Sequence, residues 1–139
     1  GEAGIKGGGN GDLYIFVSIK PHSIFKRSGE NLFFEFPISL ADAALGTTVK
    51  VPTIEGRKAK VKIPAGTKNG KQFRLRGKGI PIIRNKNCGD LYIQATTEVP
   101  VSLTKEQKNL LEKFKKLEDT KTNPLMRDFF EKAKRFWKN

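Results

Sequence analysis

Apolar and polar side chains alternate along residues 31–39, and this alternation is the clearest pattern in the chain. The apolar positions of this segment are Leu32, Phe34, Phe36 and Ile38. Successive side chains of a strand point to opposite faces, so the spacing predicts a strand with one buried face. Pro37 lies on the other face and lacks the N–H that an inner strand donates, which indicates an edge strand.

The period of two returns several times further along the chain. Further strands are predicted from Thr47, over Lys58–Ile63, around Phe73 and from Leu91, with turns rich in glycine and proline between them. A short helix is predicted between Ser39, which can cap it, and Gly46, which ends it. Five or six short strands with one small helix predict a mostly β protein, a small β-sandwich or partial barrel.

After Pro100 the spacing becomes that of helices. Thr104 and Gln107 form the pattern of a capping box. The apolar residues of this helix fall on one face, and they are Leu103, Leu110, Leu111, Phe114 and Leu117. The preceding β-domain already has its own inward faces, so this stripe must cover the domain's flank or another chain. We predict that it forms a homodimer interface.

A second helix is predicted after a polar break at residues 118–122. Asn123 is its expected cap, and Pro124 suits the first turn. The helix carries an unusual aromatic load beside several lysines, namely Phe129, Phe130, Phe136 and Trp137. We expect this amphipathic helix to dock on a partner protomer, and the alternative is that it lies on a membrane surface.

One phrase occurs twice, as Gly11-Asp12-Leu13-Tyr14-Ile15 and again as residues 89–93. Such self-similarity predicts two related domains in tandem. The predicted organisation is then the tail of a first β-domain at 1–21, a connector at 22–30, a second β-domain at 31–100, a dimerisation helix at 101–122 and the amphipathic helix at 123–139. Asp12 and Asp90 are expected to bond backbone amides in turns.

Composition limits the chemistry of the chain. Its 139 residues are 37% apolar and contain no run long enough to cross a membrane. Cys88 is the only cysteine, which excludes a disulfide within the chain and a zinc site built on cysteines. His22 is the only histidine, and no pairing of a nucleophile with a base has independent support. We therefore predict no enzyme, no catalytic residue and no metal site. The chain starts without methionine and is expected to be a piece of a longer protein.

The net charge of +13 favours acidic partners. Many basic residues alternate with apolar ones, as in Lys58–Ile63, which is typical of the solvated face of a strand. An alternative function is a basic RNA- or ribosome-binding domain, supported by Arg74, Arg76, Lys78 and Arg84. No paired aromatics on a strand face are evident, and single-strand recognition usually needs them, so nucleic acid is disfavoured.

A series of motifs in order resembles the C-terminal part of DnaJ-type co-chaperones. The motifs are residues 11–14, 22–29, 44–46, 51–57, 76–81 and 89–91, or GDLY, HSIFKRSG, ALG, VPTIEGR, RGKGIP and GDL. The resemblance implies two related β-domains and dimerisation through the C-terminal end. It also implies a chaperone without enzymatic activity that binds unfolded polypeptides and passes them to a DnaK-type ATPase.

The resemblance also suggests where clients bind. Phe25 resembles the family position that walls the client pocket, and Ile24 beside it is a second large apolar residue in a connector. Most of the first β-domain is absent, so we expect residues 1 to about 20 to be held loosely or by neighbouring molecules, and client affinity to be weak. The family's J domain and zinc-binding repeats would lie upstream. The implied compartment is the cytoplasm, or a mitochondrial matrix.

Overall fold

The computed structural model describes residues 24–82 and 87–137. The first copy of the repeated phrase, the first-domain tail at 1–21 and the start of the connector lie outside these residues. The chain divides into two compact units, Gly1–Val99 and Pro100–Asn139. Unit 1 contains all the strands of the described residues, and unit 2 contains two helices.

The elements of unit 1 are short and follow one another closely. In chain order they are β1 (Lys26–Ser28), β2 (Asn31–Ser39), α1 (Leu40–Leu45), β3 (Thr47–Pro52), β4 (Lys58–Ile63), β5 (Gln72–Leu75), β6 (Pro81–Ile82), β7 (Asn87–Cys88) and β8 (Leu91–Glu98). The elements of unit 2 are α2 (Lys105–Leu117) and α3 (Pro124–Ala133).

The main sheet has four strands in the order β1-β2-β8-β5. The central strands β2 and β8 run parallel, from Leu32 opposite Leu91 to Ser39 opposite Glu98, and the outer pairs are antiparallel. β3 pairs with β4 and β6 with β7 in two further antiparallel pairs. The sheets do not close on themselves, and the predicted mostly β architecture with helices after it is confirmed.

The core lies between the inner faces of the main sheet and the β3–β4 pair. Its buried side chains are Leu32, Phe34, Ile38, Ala43, Val51, Val61, Ile63, Leu91, Ile93 and Ala95. The alternation predicted for residues 31–39 is therefore correct, because its apolar positions face this core. Each buried aliphatic or aromatic side chain contributes roughly 1.5–3 kcal/mol relative to exposure, so this layer is the main stabilising feature of unit 1.

β2 is an inner strand of the main sheet, so the edge strand predicted from Pro37 is wrong. β2 has β1 on one side and β8 on the other. However, β1 pairs only with Asn31 to Phe33, so at Pro37 the strand has only β8 as a partner among the described residues. On this open side, the absence of an N–H at Pro37 therefore breaks no hydrogen bond between strands among the described residues.

The short helix α1 begins and ends as its sequence predicts. The Ser39 hydroxyl oxygen accepts a hydrogen bond of 3.0 Å from the Asp42 amide. Gly46 has a φ of 85°, and its N–H donates to the Asp42 carbonyl at 2.8 Å. A side chain at this position would also press on the Ala65 backbone, 2.8 Å away. Glycine is therefore required here for both its conformation and its size.

The Gly-Asp pair before β8 has a structural role in unit 1. A side chain at Gly89 would collide with the Glu30 carbonyl. Asp90 accepts hydrogen bonds from the Gly77 amide at 3.0 Å and from the Arg74 guanidinium at 2.7 Å. The hydrogen bond from the Gly77 amide is the chief cause that lowers the pKa of the Asp90 carboxyl below its ordinary value. Burial opposes this effect, and the positive charges of Arg74 and Arg76 lower the pKa further.

The helices of unit 2 confirm one predicted cap and contradict the other. The Thr104 hydroxyl oxygen accepts from the Gln107 amide at 3.1 Å, and the Gln107 side chain accepts from the Thr104 amide at 2.9 Å. Asn123 makes no side-chain cap bond, although Pro124 does occupy the first turn of α3. The preceding turn is instead held by Asp119, which accepts from the Lys121 and Thr122 amides. None of the helices in the described residues is long and apolar enough to span a membrane.

The Asp90 network predicts a specific dependence of stability on pH. A carboxyl whose pKa is lowered in the folded state stabilises the fold at pH values above its ordinary, unfolded-state pKa. This stabilisation is lost as the pH falls through the lowered pKa. Asp90→Asn should therefore lower the thermal midpoint at neutral pH, and its deficit relative to the parent chain should shrink in acid. Circular dichroism melts across an acid-to-neutral pH series measure this difference.

Glu98→Gln is the matched control, because Glu98 is an exposed carboxylate at the end of the same strand. Its melting curve should follow that of the parent at every pH. A deficit of Asp90→Asn that stays constant into strong acid would show that the carboxylate charge is not what stabilises the turn.

Candidate functional site

A groove of about 360 Å³ lies on the main sheet of unit 1. Its lining includes Ile24 and Lys26 at one side and outward-facing side chains of β2, β5 and β8. These strands turn their other faces to the core, so the groove is built on a rigid support. Rigid elements hold contact side chains in place more firmly than loops do.

The register of the four strands brings two aromatic rings together in this groove. Phe33 on β2 lies opposite Tyr92 on β8, and registered partners point to the same face of a sheet. The rings stack with centroids 5.0 Å apart and an interplanar angle of 14°. Both side chains are half-buried. The groove therefore has an apolar aromatic centre.

Charged and amide groups surround the aromatic pair. Lys26 lies opposite Phe33 on one side, and Arg74 lies opposite Tyr92 on the other. The next row across the sheet contains Glu35, Gln94 and Gln72, all exposed. Arg74 is bound to Asp90, whereas Lys26 and Glu35 project at the groove with opposite charges. Such a surface offers apolar contact together with donors and acceptors for a polypeptide backbone.

The two predicted client-binding residues of the connector have different environments. Ile24 is 49% exposed and lines the groove. Phe25 is half-buried, packs on the core and meets Phe34 edge to face, with ring centroids 5.4 Å apart. Ile24 is thus available for direct contact with a ligand. The assignment of Phe25 as a wall of the pocket stays a prediction, and Phe25 is not one of the residues that line this groove.

Sequence reasoning missed Phe33 and Tyr92 as site residues. It placed Phe33 on the polar face of its strand and found no paired aromatics on a strand face, which the stacked pair corrects. The available signal was that Phe33 and Tyr92 are large aromatic residues out of phase with the core positions. Their proximity depends on the parallel pairing of two distant strands, which no local pattern reveals.

The apolar stripe of α2 forms a second candidate surface, in unit 2. The five predicted dimerisation residues, Leu103, Leu110, Leu111, Phe114 and Leu117, are between 38% and 78% exposed. Four of them share one face of α2, and Leu103 lies just before the helix begins. An exposed stripe of this size is uncommon on a protein that acts as a monomer.

The predicted docking helix is shorter than expected, because α3 ends at Ala133 and the last two of its predicted aromatic residues, Phe136 and Trp137, lie beyond it. Phe129 and Phe130 meet edge to face at 5.2 Å, and Phe130 lies 6.2 Å from Trp137. These three residues and Phe136 are all exposed. The dimerisation and docking roles of α2 and α3 stay predictions, since a single chain contains no partner.

Other candidate chemistry is limited within the described residues. There, His, Cys, Asp and Glu form no group of three or more that could hold a metal ion. Arg74 and Lys78, which supported the RNA-binding alternative, form ion pairs with Asp90 and Glu55 at 2.7 and 3.1 Å. Arg84 lies outside the described residues. Two of the four cations in that alternative thus have protein partners.

Comparisons with known proteins cover almost the whole chain. Residues 1–100 match the family pattern described as the DnaJ C terminal domain, and residues 106–139 match that of the chaperone protein DnaJ C-terminal region. Chaperone protein DnaJ of Pelagibacter ubique is 68% identical over 139 residues, which are 100% of this chain and 37% of that protein. Chaperone protein DnaJ of Xanthobacter autotrophicus is 55% identical over 137 residues, 99% of this chain and 36% of that protein.

The chain thus spans little more than a third of the length of these relatives. The matched patterns occur in the same order along the chain as the β-rich unit and the helical unit. The resemblance inferred from the ordered motifs is confirmed. The chain belongs to the DnaJ family of co-chaperones and corresponds to its C-terminal region.

Proposed function

We propose that this chain is the client-holding and dimerisation part of a DnaJ-type co-chaperone. It binds unfolded polypeptides, which then pass to a DnaK-type ATPase chaperone. The observation that carries the client-binding proposal is the groove on the main sheet, with the Phe33–Tyr92 stack at its centre and Ile24 at its side.

The groove suits unfolded chains because it combines apolar contact with weak demands on sequence. Ile24, Phe33 and Tyr92 offer surface to aliphatic and aromatic client side chains. Gln72 and Gln94 supply amide donors and acceptors for a client backbone, which every polypeptide has. Lys26 can pair with acidic side chains of a client, and Glu35 can pair with basic ones. No position in this arrangement requires one particular client residue.

The dimerisation proposal rests on the exposed stripe of α2. A symmetric pair of chains can bury the same stripe on both subunits, which is the commonest arrangement in homo-oligomers. Burying a leucine or phenylalanine contributes roughly 1.5–3 kcal/mol, so a few such residues per chain can offset the loss of freedom on association. A dimer also presents two grooves to one client, and the second contact then benefits from a high effective concentration.

The aromatic residues of α3 and of the segment that follows it extend this proposal. Phe129, Phe130, Phe136 and Trp137 would dock on the partner protomer and add apolar contact area near the α2 interface. An anionic membrane surface is the competing ligand, because α3 also carries basic residues such as Lys132. Cosedimentation with vesicles that increases with anionic lipid content would favour the membrane.

Family membership supports the remaining parts of the proposal. The curated relatives are chaperones, which fits a non-enzymatic role in protein folding. On the basis of family membership we also propose that clients pass to a DnaK-type ATPase and that the protein acts in the cytoplasm. A zinc-binding insert upstream is proposed on the same basis.

Client binding should depend on the groove residues. Ile24→Ser combined with Tyr92→Ser removes apolar contact area and should weaken binding of a permanently unfolded, fluorescently labelled polypeptide by about tenfold. Fluorescence anisotropy measures this affinity. Binding should change little between low and physiological salt, because apolar contacts are not screened.

Leu45→Ser is the matched control, since Leu45 is a large apolar residue of unit 1 that is 79% exposed on α1. It should bind the polypeptide with the parent's affinity. Equal losses in the control and the groove variant would remove the groove from the proposal. Tighter binding of a short oligouridine RNA, falling steeply with salt, would favour the RNA-binding alternative instead.

Phe25→Ala should act mainly on stability. Its ring packs on Phe34 and on the core, so truncation should lower the free energy of unfolding by about 2 kcal/mol. Urea denaturation followed by circular dichroism measures the loss. Ile24→Ala serves as the control and should cost less, because Ile24 is more exposed. A fully stable Phe25→Ala chain that no longer binds clients would instead identify Phe25 as a direct contact.

Dimerisation should depend on the stripe of α2. Leu111→Asp or Phe114→Asp places a carboxylate without a partner in an apolar interface and should yield folded monomers. Light scattering and sedimentation across a concentration series measure the mass. Lys108→Asp on the polar side of α2 is the control and should remain dimeric. Dimers of unchanged mass in the stripe variants would place the interface elsewhere.

A further inference from the structure

The β3–β4 pair has one buried face and one face that is strongly basic. Val51, Val61 and Ile63 point to the core. On the other face the register sets Lys50 directly opposite Lys60. Lys58 and Lys62 lie two residues to either side of Lys60 and therefore share its face. We call these four exposed residues, Lys50, Lys58, Lys60 and Lys62, the lysine face.

No negatively charged side chain of β3 or β4 shares the lysine face. Like charges directly opposite each other on paired strands destabilise a sheet. The remaining outward positions of the pair are Thr48 and Pro52, which carry no negative charge. The ion pairs found in the described part of unit 1 are Arg74–Asp90 and Lys78–Glu55, and neither includes these lysines. The nearby Glu55 carboxylate is thus already engaged by Lys78.

We propose that the lysine face binds an extended acidic segment of a partner polypeptide. The lysines of β4 recur at every second residue, which spaces them by about 6.7 Å along the strand. An extended polypeptide with carboxylates at every second residue has the same spacing. Its negative charges meet Lys58, Lys60 and Lys62 in turn and offset the repulsion between Lys60 and Lys50.

The face fits an acidic polypeptide better than a nucleic acid. Single-stranded nucleic acids bind to surfaces on which aromatic side chains stack with bases. The outward positions of β3 and β4 contain lysine, threonine and proline, without an aromatic residue. The stacked aromatic pair Phe33 and Tyr92 belongs to the main sheet. The lysine face is therefore an interaction surface separate from the groove, and its ligand is recognised by charge.

The test compares two double variants with the same change in net charge. Lys50→Gln with Lys60→Gln removes the opposed pair, and Lys68→Gln with Lys71→Gln removes two exposed lysines between β4 and β5. The probe is a labelled peptide of alternating glutamate and threonine, and fluorescence anisotropy measures its affinity. The lysine-face variant should bind about tenfold more weakly than the parent, and the control should lose less than about twofold.

Two further measurements make the result decisive. The thermal midpoint of the lysine-face variant should match or exceed that of the parent, because a like-charge pair is removed, so weaker binding cannot reflect unfolding. A peptide with glutamine in place of glutamate should not bind. Equal losses in the two variants would overturn the proposal, since net charge alone would then explain binding. Tighter binding of oligouridine RNA than of the acidic peptide would also overturn it.

Discussion

β2 and β8 run parallel over eight registered residue pairs, from Leu32 opposite Leu91 to Ser39 opposite Glu98. Both faces of the main sheet depend on this register. On the inner face it joins Leu32 and Phe34 to Leu91 and Ile93 in the core. On the outer face it stacks Phe33 on Tyr92. Since side chains alternate with a period of two, a slip of one residue would expose the core residues and bury the groove residues.

The connector that leads into β1 serves the core and the groove at once. Phe25 points inward and packs against Phe34, while its neighbour Ile24 remains exposed at the groove. The packed ring thereby holds the exposed side chain at a defined place on the sheet. A groove with one firmly anchored border and an open surface can accept many different chains, which suits the client binding that we propose.

The positive charge of the chain is distributed among surfaces with different surroundings. Arg74 and Lys78 are engaged by Asp90 and Glu55, and Arg74 with Asp90 holds the turn before β8. Lys26 lies at the groove beside aromatic side chains. Lys50 and Lys60 face each other, and the other outward positions of β3 and β4 contain no carboxylate. Excess charge in this protein is therefore partly structural and partly available to partners, and net charge alone does not distinguish the two.

The amino-acid sequence by itself determined the features that arise within a few residues. These are the buried alternation of β2, the caps of α1, the capping box at Thr104 and the exposed stripe of α2. Each depends on contacts between residues at most four positions apart or on the period of one element. Asn123 precedes α3 as predicted but makes no side-chain cap bond, and Asp119 holds the turn before it.

Only the tertiary structure decided which strands are neighbours. Pairing β2 with β8 brought Phe33 to Tyr92 and placed Pro37 on an inner strand. Packing of the connector on Phe34 buried part of Phe25 and left Ile24 at the groove. Pairing β3 with β4 set Lys50 against Lys60. In each case the partners come from different elements, and several arrangements of the strands would satisfy the same local patterns. The choice among them depends on how the apolar faces of all the strands pack into one core.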